Sequence, residues 1–576
     1  MTGRPPRRVR QQASASQSQN TRAIGCFALA MGGLLVACMA ALFLGQNIAD
    51  SLLPAASTAV PGVVGRTPSP VQRIGGLRVA VAPEALSVLQ PITTDFNKQG
   101  LGSVSLVAMT PADMVEALRG GQPAFDAAIP DSSFWLPRMD QAWAARGEQE
   151  SLTGLVRRFM LSPVIIATWE DVAVSLGSNP GWADFLRRVE SDATFRWSHP
   201  SAKTGPGFLA VLGEVYFAAG KTWGLTQADL DRASTRDTFN RIEKSIAQYG
   251  ESEEATLQTL AEKGPAYLSA FVATERGVIK FNAAKPTRKL RAVYPKEGAA
   301  WADYPLTLLD GEWVSPQLRT LYVAYGSYLS APAAQKAILS AGYRTVNADV
   351  PINGAGSPIS LGNGVDPNQP QVALQIPEEA LVDRLLSLWN LLKRHSRQVW
   401  VVDTSGSMGD AQKLQRVKEA LVLLIDQADA EDEIALLRFS DTSQLVVPMA
   451  RVSDTQRAAL RKAAQGLTAN GNTALLDATL EAYNLLLRQP PDKIAGLIVL
   501  TDGEENRSAA RMTTLVDAIK QGSAKTPIVV FCIAYGGEAG TSTLRSITGA
   551  AGALGQVRSS DPDSIRRLYE DLQKYF

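Results

Sequence analysis

The sequence predicts an α/β protein with an N-terminal transmembrane helix, a first α/β region and a C-terminal doubly wound α/β domain. The chain has 576 residues, which is more than a single hydrophobic core usually organises. Residues 23–45 contain no charged side chain, and apolar strands alternate with amphipathic helices from residue 76 onward. Such alternation is typical of parallel sheets covered by helices.

Composition and charge narrow the function classes. Hydrophobic residues make up 45% of the chain and charged residues 20%, as in ordinary globular proteins. The net charge of +1 gives no overall attraction to nucleic acid. Two histidines and three cysteines are too few for a Cys/His zinc pattern, and they offer no nucleophile–histidine–acid set. The sequence therefore favours a non-enzymatic protein, with His199 expected to be a structural histidine whose hydrogen bonds are satisfied.

The N-terminal region predicts a membrane anchor. Residues 1–22 carry five arginines and no acidic residue. As a helix, 23–45 would be about 35 Å long, enough to cross a hydrocarbon core of about 30 Å. Because the arginines lie on the N-terminal side only, we expect one N-in span in the cell membrane, with residues after 50 extracytoplasmic. Two alternatives stay open: a lipoprotein signal ending at Cys38 in "LVAC", and a signal peptide that is cleaved.

Stretches rich in proline, glycine, serine or asparagine divide the rest of the chain. The predicted organisation is a cytoplasmic basic tail (1–22), a transmembrane helix (23–45), a stalk (46–75), a first α/β domain (76–350), a linker (351–376) and a C-terminal domain with a leading helix (377–576).

Oxygen-bearing side chains follow two predicted strands of the C-terminal domain. "VWVVDTSGSMGD" places Asp403, Ser405 and Ser407 directly after an apolar strand, and "LIVLTDGEEN" places Asp502 after another. Between them, Thr473 begins an apolar helix after a Gly/Asn loop. Ligands of open α/β sheets bind beyond the carboxyl ends of the strands, so we expect these five side chains at one rim.

This pattern resembles the von Willebrand factor type A domain and its metal-ion-dependent adhesion site. The order Asp-x-Ser-x-Ser…Thr…Asp is complete, and the resemblance covers about residues 397–576. The resemblance implies a bound divalent cation, Mg²⁺ in the first place and Mn²⁺ or Ca²⁺ as alternatives. It also implies direct coordination by the hydroxyls, aspartates that often act through water, and an open position that a carboxylate from a protein partner fills. The implied ligands are Asp403, Ser405, Ser407, Thr473 and Asp502.

Three other interpretations of these residues are weaker. A polar turn that caps the next helix would explain the first stretch alone, but not Thr473 and Asp502. A phosphate loop would need G-x-x-x-x-G-K-[ST] after the strand, which the sequence lacks. A phosphoaspartate at Asp403, as in haloacid-dehalogenase enzymes, would need a second acidic residue where Ser405 stands. Asp441 lies outside the pattern and is expected to tolerate substitution.

Residues 76–350 resemble bacterial extracellular solute-binding proteins of the two-lobed type II kind. The resemblance rests on "LRVAVAPEALSVLQPITTDFNK", "AFDAAIPDSSFWL" and "SHPSAKTGPGFLAVLGEVYFAAG". It implies a small polar or anionic solute between the lobes, held by loop hydroxyls and helix N-terminal amides. The matching positions are Ser132, Ser133, Ser201, Thr204 and Gly205. For each residue alone, a plain helix cap is the alternative.

The two resemblances predict a non-enzymatic, membrane-anchored bacterial surface protein that binds a partner through a divalent cation. The alternative is a solute-binding or sensing protein, in which the two-lobed domain captures a small molecule and the C-terminal domain is a coupling module. No nucleic-acid partner is expected.

Overall fold

Three β-sheets covered by helices organise the part of the chain that the computed structural model describes. The described residues are 76–147, 151–523, 525–535, 541–560 and 564–576. The predicted tail, transmembrane helix and stalk lie outside them. Within these ranges, no helix is both long and apolar enough to cross a membrane.

The first two sheets and their helices lie between residues 76 and 345. Their strands are β1 (Leu77–Val81), β2 (Val104–Ala108), β3 (Ala127–Ile129), β4 (Thr153–Arg158), β5 (Met160–Trp169), β6 (Trp197–Ser198), β7 (Ala270–Thr274), β8 (Leu290–Val293), β9 (Trp301–Ala302), β10 (Pro305–Leu309) and β11 (Arg344–Thr345). Their α-helices are Pro83–Asn97, Pro111–Gly120, Leu136–Ala144, Glu170–Ser175, Trp182–Ser191, Gly205–Ala219, Gln227–Asp231, Ala233–Lys244, Glu253–Lys263, Glu275–Ala283, Pro316–Leu329 and Pro332–Ser340.

Each of these sheets is the centre of one lobe. The first lobe has the strand order β2-β1-β3-β10-β4, in which β1 is parallel to β2 and β3 while β10 is antiparallel to both neighbours. The second lobe has the order β11-β5-β7-β6, and β8 and β9 also pair with β5. The chain crosses from β4 into β5 and returns from β9 into β10. The fold is therefore two-lobed, as expected.

Residues 351–376, predicted to be a linker, form an ordered strap on the second lobe. Ile359 and Val365 are buried in the core of that lobe. The amide of Leu374 donates to the carbonyl of Ala299 (2.9 Å), and the amide of Ala299 donates to the carbonyl of Val372 (3.0 Å). The glycines and prolines of this stretch therefore form turns on a packed surface.

The third sheet belongs to the C-terminal domain. Its strands are β12 (Ser396–Asp403), β13 (Glu433–Phe439), β14 (Ser443–Arg451), β15 (Ile494–Thr501), β16 (Ile528–Tyr535) and β17 (Gly555–Ser560), in the order β14-β13-β12-β15-β16-β17. Only β14 is antiparallel among the described strands of this sheet. The helices of this domain are Glu379–Leu392, here called the leading helix, and Lys413–Gln427, Asp454–Gln465, Leu475–Leu487, Met512–Ser523, Thr541–Ala550 and Ile565–Gln573.

The amino ends of the third sheet pack against the second lobe. Arg394, just before β12, donates from its backbone amide to Tyr249 Oη (3.0 Å) and from its guanidinium to the carbonyl of Ile246 (2.7 Å). Tyr249 lies edge-on to Trp389 of the leading helix, with ring centroids 5.7 Å apart. Buried side chains of both domains belong to one continuous hydrophobic cluster. The carboxyl ends of the strands consequently point away from the second lobe.

Candidate functional site

The predicted metal ligands lie where the strand order of the third sheet reverses. Asp403 is the last residue of β12, and Asp502 follows the last residue of β15. These two strands are parallel neighbours, with β13 and β14 on one side and β16 and β17 on the other. This reversal opens the crevice in which doubly wound sheets bind their ligands. We call the loops 404–412, 468–474 and 502–506 around it the rim.

Hydroxyl and carboxylate oxygens from the three rim loops come together. Ser405 Oγ lies 3.2 Å from Ser407 Oγ, which donates to Asp502 Oδ1 at 2.7 Å. A Cβ atom on Gly503 would lie 3.4 Å from Thr473 Oγ1 and 3.7 Å from Ser407 Oγ. The structure therefore brings the predicted residues of all three loops to one place, with Ser407 exposed to solvent.

Backbone hydrogen bonds hold the first two rim loops against each other. Thr404 donates its amide to the carbonyl of Phe439 (2.8 Å) and accepts from the amide of Asn470 (2.8 Å). Gly406 donates to the carbonyl of Gly471 (3.0 Å). The serines and Thr473 are thus positioned by main-chain contacts that the side-chain pattern does not reveal.

Asp441 supports the Thr473 loop, although it lies outside the motif. Its carboxylate accepts from the backbone amide (3.2 Å) and the side-chain amide (2.6 Å) of Asn472. Gly471 has a φ of +75°, and a Cβ there would lie 2.5 Å from Asp441 Oδ2. Asp441 is therefore a positioning residue, and the expectation that it tolerates substitution is at odds with these contacts.

Asp403 is fully buried at the base of the rim. One carboxylate oxygen accepts from the Ser405 amide (2.7 Å), and the other accepts from the Thr501 hydroxyl. Burial raises the pKa of Asp403, the hydrogen bonds from Thr501 and Ser405 oppose this, and the charge of Asp502 adds to the rise. A cation at the rim would favour the ionised form of both carboxyls.

Lys413 already supplies a positive charge to the rim. Its Nζ lies 2.6 Å from Asp502 Oδ2, and the two side chains are 18% and 0% exposed. The approach to this lysine is unusual, because Ala411 and Gln412 have φ values of 47° and 59°. Such values are uncommon for residues other than glycine. The motif gave no signal for this contact, since the family pattern contains no lysine there.

The donor set fits a hard divalent cation. All the converging groups are hydroxyl or carboxylate oxygens, which Mg²⁺ prefers. Neighbouring ligands of an octahedral Mg²⁺ at about 2.1 Å are about 3 Å apart. The spacings of 3.2 Å between the serine oxygens and 2.7 Å between Ser407 Oγ and Asp502 Oδ1 match this geometry. A cation bound here would compete with Lys413 for Asp502.

A second candidate site is a cavity of about 880 Å³ between the lobes. Ser201, Thr204 and Gly205 line it, as predicted from the sequence. Thr204 also caps the helix Gly205–Ala219, because its hydroxyl accepts from the Gly207 amide at 3.2 Å. The volume suits a small molecule.

Ser132 and Ser133 have other contacts and do not line this cavity. Ser132 is buried, and its hydroxyl accepts from the amide of Phe134 (3.2 Å). Ser133 donates its hydroxyl to the Asp303 carboxylate and accepts from the Arg158 guanidinium (3.0 Å). Ser132 therefore follows the helix-cap alternative, whereas Ser133 neither caps a helix nor lines the cavity and instead joins Asp303 to Arg158.

Ionisable residues that the sequence did not single out dominate the cavity wall. Burial raises the pKa of Asp131 well above its usual range, and the charge of Glu84 adds to this effect. Burial also raises the pKa of Glu84, and it raises that of Glu253 to about 7. Arg276 is buried beside them, and its Nε has no hydrogen-bond partner in the described part of the chain. These residues therefore give the wall three carboxyl groups and a guanidinium.

The C-terminal domain contributes to the same cavity. Its lining residues there come from the amino ends of β12 and β13 and from the last helix and the residues after it. They are Lys393, Gln427, Asp429, Asp432, Asp571, Gln573, Lys574 and Phe576. The third sheet thus forms part of the cavity wall, at the end opposite the rim.

The fold and the two sites are similar to those of a two-lobed solute-binding domain joined to a von Willebrand factor type A domain. Sequence profiles of known families agree with both parts. The bacterial extracellular solute-binding protein family matches residues 77–344, and the von Willebrand factor type A domain family matches residues 399–505.

Curated relatives match parts of the chain. Inter-alpha-trypsin inhibitor heavy chain H4 of Homo sapiens is 27% identical over 183 residues, covering 31% of this chain and 20% of that protein. An uncharacterized protein of Mycobacterium tuberculosis is 27% identical over 249 residues, covering 40% of this chain and 35% of that protein. The chain thus spans between a fifth and about a third of the length of these relatives.

Some solved structures match part of the chain. A putative extracellular solute-binding protein from Bordetella parapertussis is 16% identical, with a TM-score of 0.40 and coverage of 55% of this chain and 98% of that one. The sulfate-binding protein SubI from Mycobacterium tuberculosis is 18% identical, with a TM-score of 0.36 and coverage of 48% and 89%.

Proposed function

We propose that this chain is a non-enzymatic, membrane-anchored surface protein whose von Willebrand factor type A domain binds a protein partner through a divalent cation at the rim. Asp403, Ser405, Ser407, Thr473 and Asp502 hold the cation, with Mg²⁺ favoured over Mn²⁺ and Ca²⁺. The partner supplies a carboxylate to the open coordination position.

The convergence of three oxygen-bearing loops at an exposed rim is the observation that carries this proposal. Ser407 is exposed while Asp403, Ser405 and Thr473 are buried, so a cation held here would face solvent on the Ser407 side. If the neutral hydroxyls coordinate directly and the aspartates act through water, the cation stays electron-poor at its open position, which favours an incoming carboxylate. Among the described residues, the opposite end of the sheet packs against the second lobe, whereas the rim end does not, which leaves the rim accessible to a large partner.

A non-enzymatic role and an extracytoplasmic location belong to the same proposal. Burial raises the pKa of Cys532 to about 12, which disfavours a reactive thiolate at neutral pH. The apolar stretch 23–45 serves as a single N-in span, with a lipid anchor at Cys38 as the alternative. Both arrangements place the two domains outside the cytoplasm.

The test is a pull-down from a cell-surface extract with the full-length chain, in Mg²⁺ and in EDTA. We expect partners that are retained in Mg²⁺, are lost in EDTA and are not retained by Ser407→Ala. The matched control is Ser546→Ala, which removes an exposed serine of the helix Thr541–Ala550. Retention that is the same in EDTA, or the same with Ser407→Ala, contradicts the proposal.

The cavity of about 880 Å³ favours a second candidate function, the capture of a small polar or anionic solute. The unpartnered Nε of Arg276 suits an acidic group, and the carboxyls of Asp131 and Glu253 suit hydrogen-bond donors. A solute that binds only the folded state stabilises it by about 2.7 kcal/mol at a hundredfold excess over Kd. A thermal-shift screen of oxyanions, sugars and amino acids, with Arg276→Gln as the variant, tests this role. A screen without any shift for the full chain contradicts it.

A further inference from the structure

A histidine and two glutamates meet in the interior of the second lobe, and none of the three lines either site described above. His199 follows β6, Glu214 lies in the helix Gly205–Ala219 and Glu243 lies in the helix Ala233–Lys244. All three side chains are completely buried. His199 Nε2 lies 3.5 Å from Glu243 Oε1 and 3.9 Å from Glu214 Oε1, and one ligand atom of each residue lies within 4.8 Å of the others.

The facing atoms of this cluster have no hydrogen-bond partner. In the described part of the chain, this holds for His199 Nε2, for both carboxylate oxygens of Glu214 and for Glu243 Oε1. The expectation that His199 has its hydrogen bonds satisfied is therefore wrong for one of its two ring nitrogens. Buried polar atoms without partners are costly, and buried carboxylates more so, unless a cation or protons are shared between them.

The surroundings orient these atoms toward a common centre. His199 Nδ1 donates to the carbonyl of Pro200 at 2.6 Å, so the lone pair of Nε2 points at the two carboxylates. Tyr249 Oη donates to Glu243 Oε2 at 2.7 Å, which leaves Glu243 Oε1 for the centre. Metal-binding histidines and carboxylates are typically held by such outer hydrogen bonds.

We propose that His199, Glu214 and Glu243 bind a structural divalent metal ion, with Zn²⁺ the best fit. One imidazole nitrogen and two carboxylate oxygens suit Zn²⁺, with bonds of about 2.0–2.2 Å and ligand atoms about 3.4 Å apart in a tetrahedron. The distances of 3.5 Å and 3.9 Å around Nε2 are close to that spacing. Two carboxylates balance the charge of the ion, and the second oxygen of Glu214, which also has no partner among the described residues, can supply the fourth ligand atom of a closed structural site.

Such an ion would tie the solute-binding cleft to the C-terminal domain. Glu214 belongs to the helix whose N-terminus, at Thr204 and Gly205, lines the cleft. Tyr249, which holds Glu243, also accepts from the Arg394 amide and donates its own amide to the carbonyl of Tyr575 (3.2 Å). The metal would therefore stabilise the junction of the two domains as well as the second lobe.

The test measures metal content and melting temperature of the full chain in a Ser407→Ala background, which removes the rim as a competing site. We expect about one Zn²⁺ per chain by mass spectrometry after zinc loading and dialysis, and a lower melting temperature after treatment with a strong chelator. Glu243→Gln and His199→Gln should lose the metal, while Glu262→Gln, an exposed glutamate of the same lobe, should keep it.

A competing explanation is that the cluster shares protons without a metal. In that case the zinc-loaded parent contains no bound metal, and neither zinc nor chelator changes its melting temperature; this result overturns the proposal. If Glu243→Gln does not fold, the proposal is tested by the metal content of the parent Ser407→Ala chain and by the change of its melting temperature with the chelator. Cobalt loading adds a spectroscopic check, since a visible absorption band lost in His199→Gln assigns the ion to this cluster.

Discussion

At the scale of single residues, the contacts of Asp502 determine how negative the rim is. Its two carboxylate oxygens face the Ser407 hydroxyl and the Lys413 ammonium, and its side chain is fully shielded from solvent. Asp403, buried nearby, has a raised pKa that a cation would lower. In the proposed metal site, affinity would therefore depend on serine oxygens that add ligands and on a lysine that competes with the metal.

Ser407→Ala should abolish Mg²⁺ and Mn²⁺ binding at the rim while the fold is kept. The substitution removes one ligand without changing the net charge, so it separates coordination from general surface acidity. The measurement is calorimetric titration of each ion into the full chain, with Ser546→Ala as the control. If the wild type and Ser407→Ala bind Mg²⁺ and Mn²⁺ equally well, Ser407 is not a ligand and the proposed site is wrong.

Lys413→Met should raise the affinity for Mg²⁺ by about tenfold, which corresponds to about 1.4 kcal/mol. The substitution removes the ammonium that occupies Asp502 Oδ2 and keeps a straight apolar chain in the helix. Without metal, the variant should melt at a lower temperature than the wild type, because Asp502 is left unpaired. Lys462→Met, at an exposed position, is the control. An unchanged or weaker affinity would show that the Lys413 contact does not oppose the metal.

At the scale of elements, the start of the helix Glu253–Lys263 combines a cap with a pH-sensitive carboxyl. Ser252 caps this helix by accepting from the Ala255 amide (3.2 Å). Glu253 accepts from the amide and hydroxyl of Thr274, at 2.5 Å and 2.9 Å, across the second lobe. Burial raises the pKa of Glu253 from 4.5 to about 7 despite these contacts.

This raised pKa predicts that the Glu253 carboxyl destabilises the folded protein as pH rises from 4.5 to 7. The folded state holds its proton more tightly than the unfolded chain does, so stability is lost on deprotonation. Glu253→Gln should therefore be more stable than the wild type at pH 8, by up to about 3 kcal/mol in the free energy of unfolding, and about as stable at pH 4.5. Melting curves across this range check the sign, and a gap that widens at low pH would contradict it.

Helices and strands also show how far local sequence signals reach. "SVLQPITT" suggests a break at Pro91, but the helix Pro83–Asn97 runs through it because the exposed Pro91 lies on the outer face. The helix Thr541–Ala550 and strand β17 were not predicted from the pattern of apolar residues. Strand β17 is polar and mostly only partly buried, so it lacks an apolar run. Tertiary packing determines these elements, and local propensity does not.

At the scale of the whole molecule, the alternation of strands and helices in the sequence correctly predicted an α/β fold for both domains. The convergence of the five rim residues was predictable for two reasons. They match the spacing of a known family, and ligands of open α/β sheets bind beyond the carboxyl ends of the strands. The cavity wall was not, because Glu84 and Asp131 belong to the first lobe and Arg276 to the second, and no sequence motif links them. The buried cluster of His199, Glu214 and Glu243 was missed because its members come from three separate elements of the second lobe and meet only in the folded core.

The topology of the chain gives a prediction for intact cells. Because arginines precede the apolar stretch 23–45, which we propose to be an N-in span, protease added outside should digest residues after 50 and spare the N-terminal tail. Immunoblots against tags at both ends measure the outcome. A C-terminal domain that stays protected in intact cells would contradict an extracytoplasmic location, and lipid labelling at Cys38 would favour the lipoprotein variant.

The parallel strands of the third sheet also determine how the domain would carry a mechanical load. The second lobe holds their amino ends and the rim lies at their carboxyl ends, about 26 Å away for an eight-residue strand. A pull on a partner bound at the rim would act along β12 and β15, so the ladders between β12, β13 and β15 would be loaded together in shear. Shear requires many backbone hydrogen bonds to break at once, whereas peeling breaks them one by one. The placement of the rim is thus suited to an attachment that must resist force.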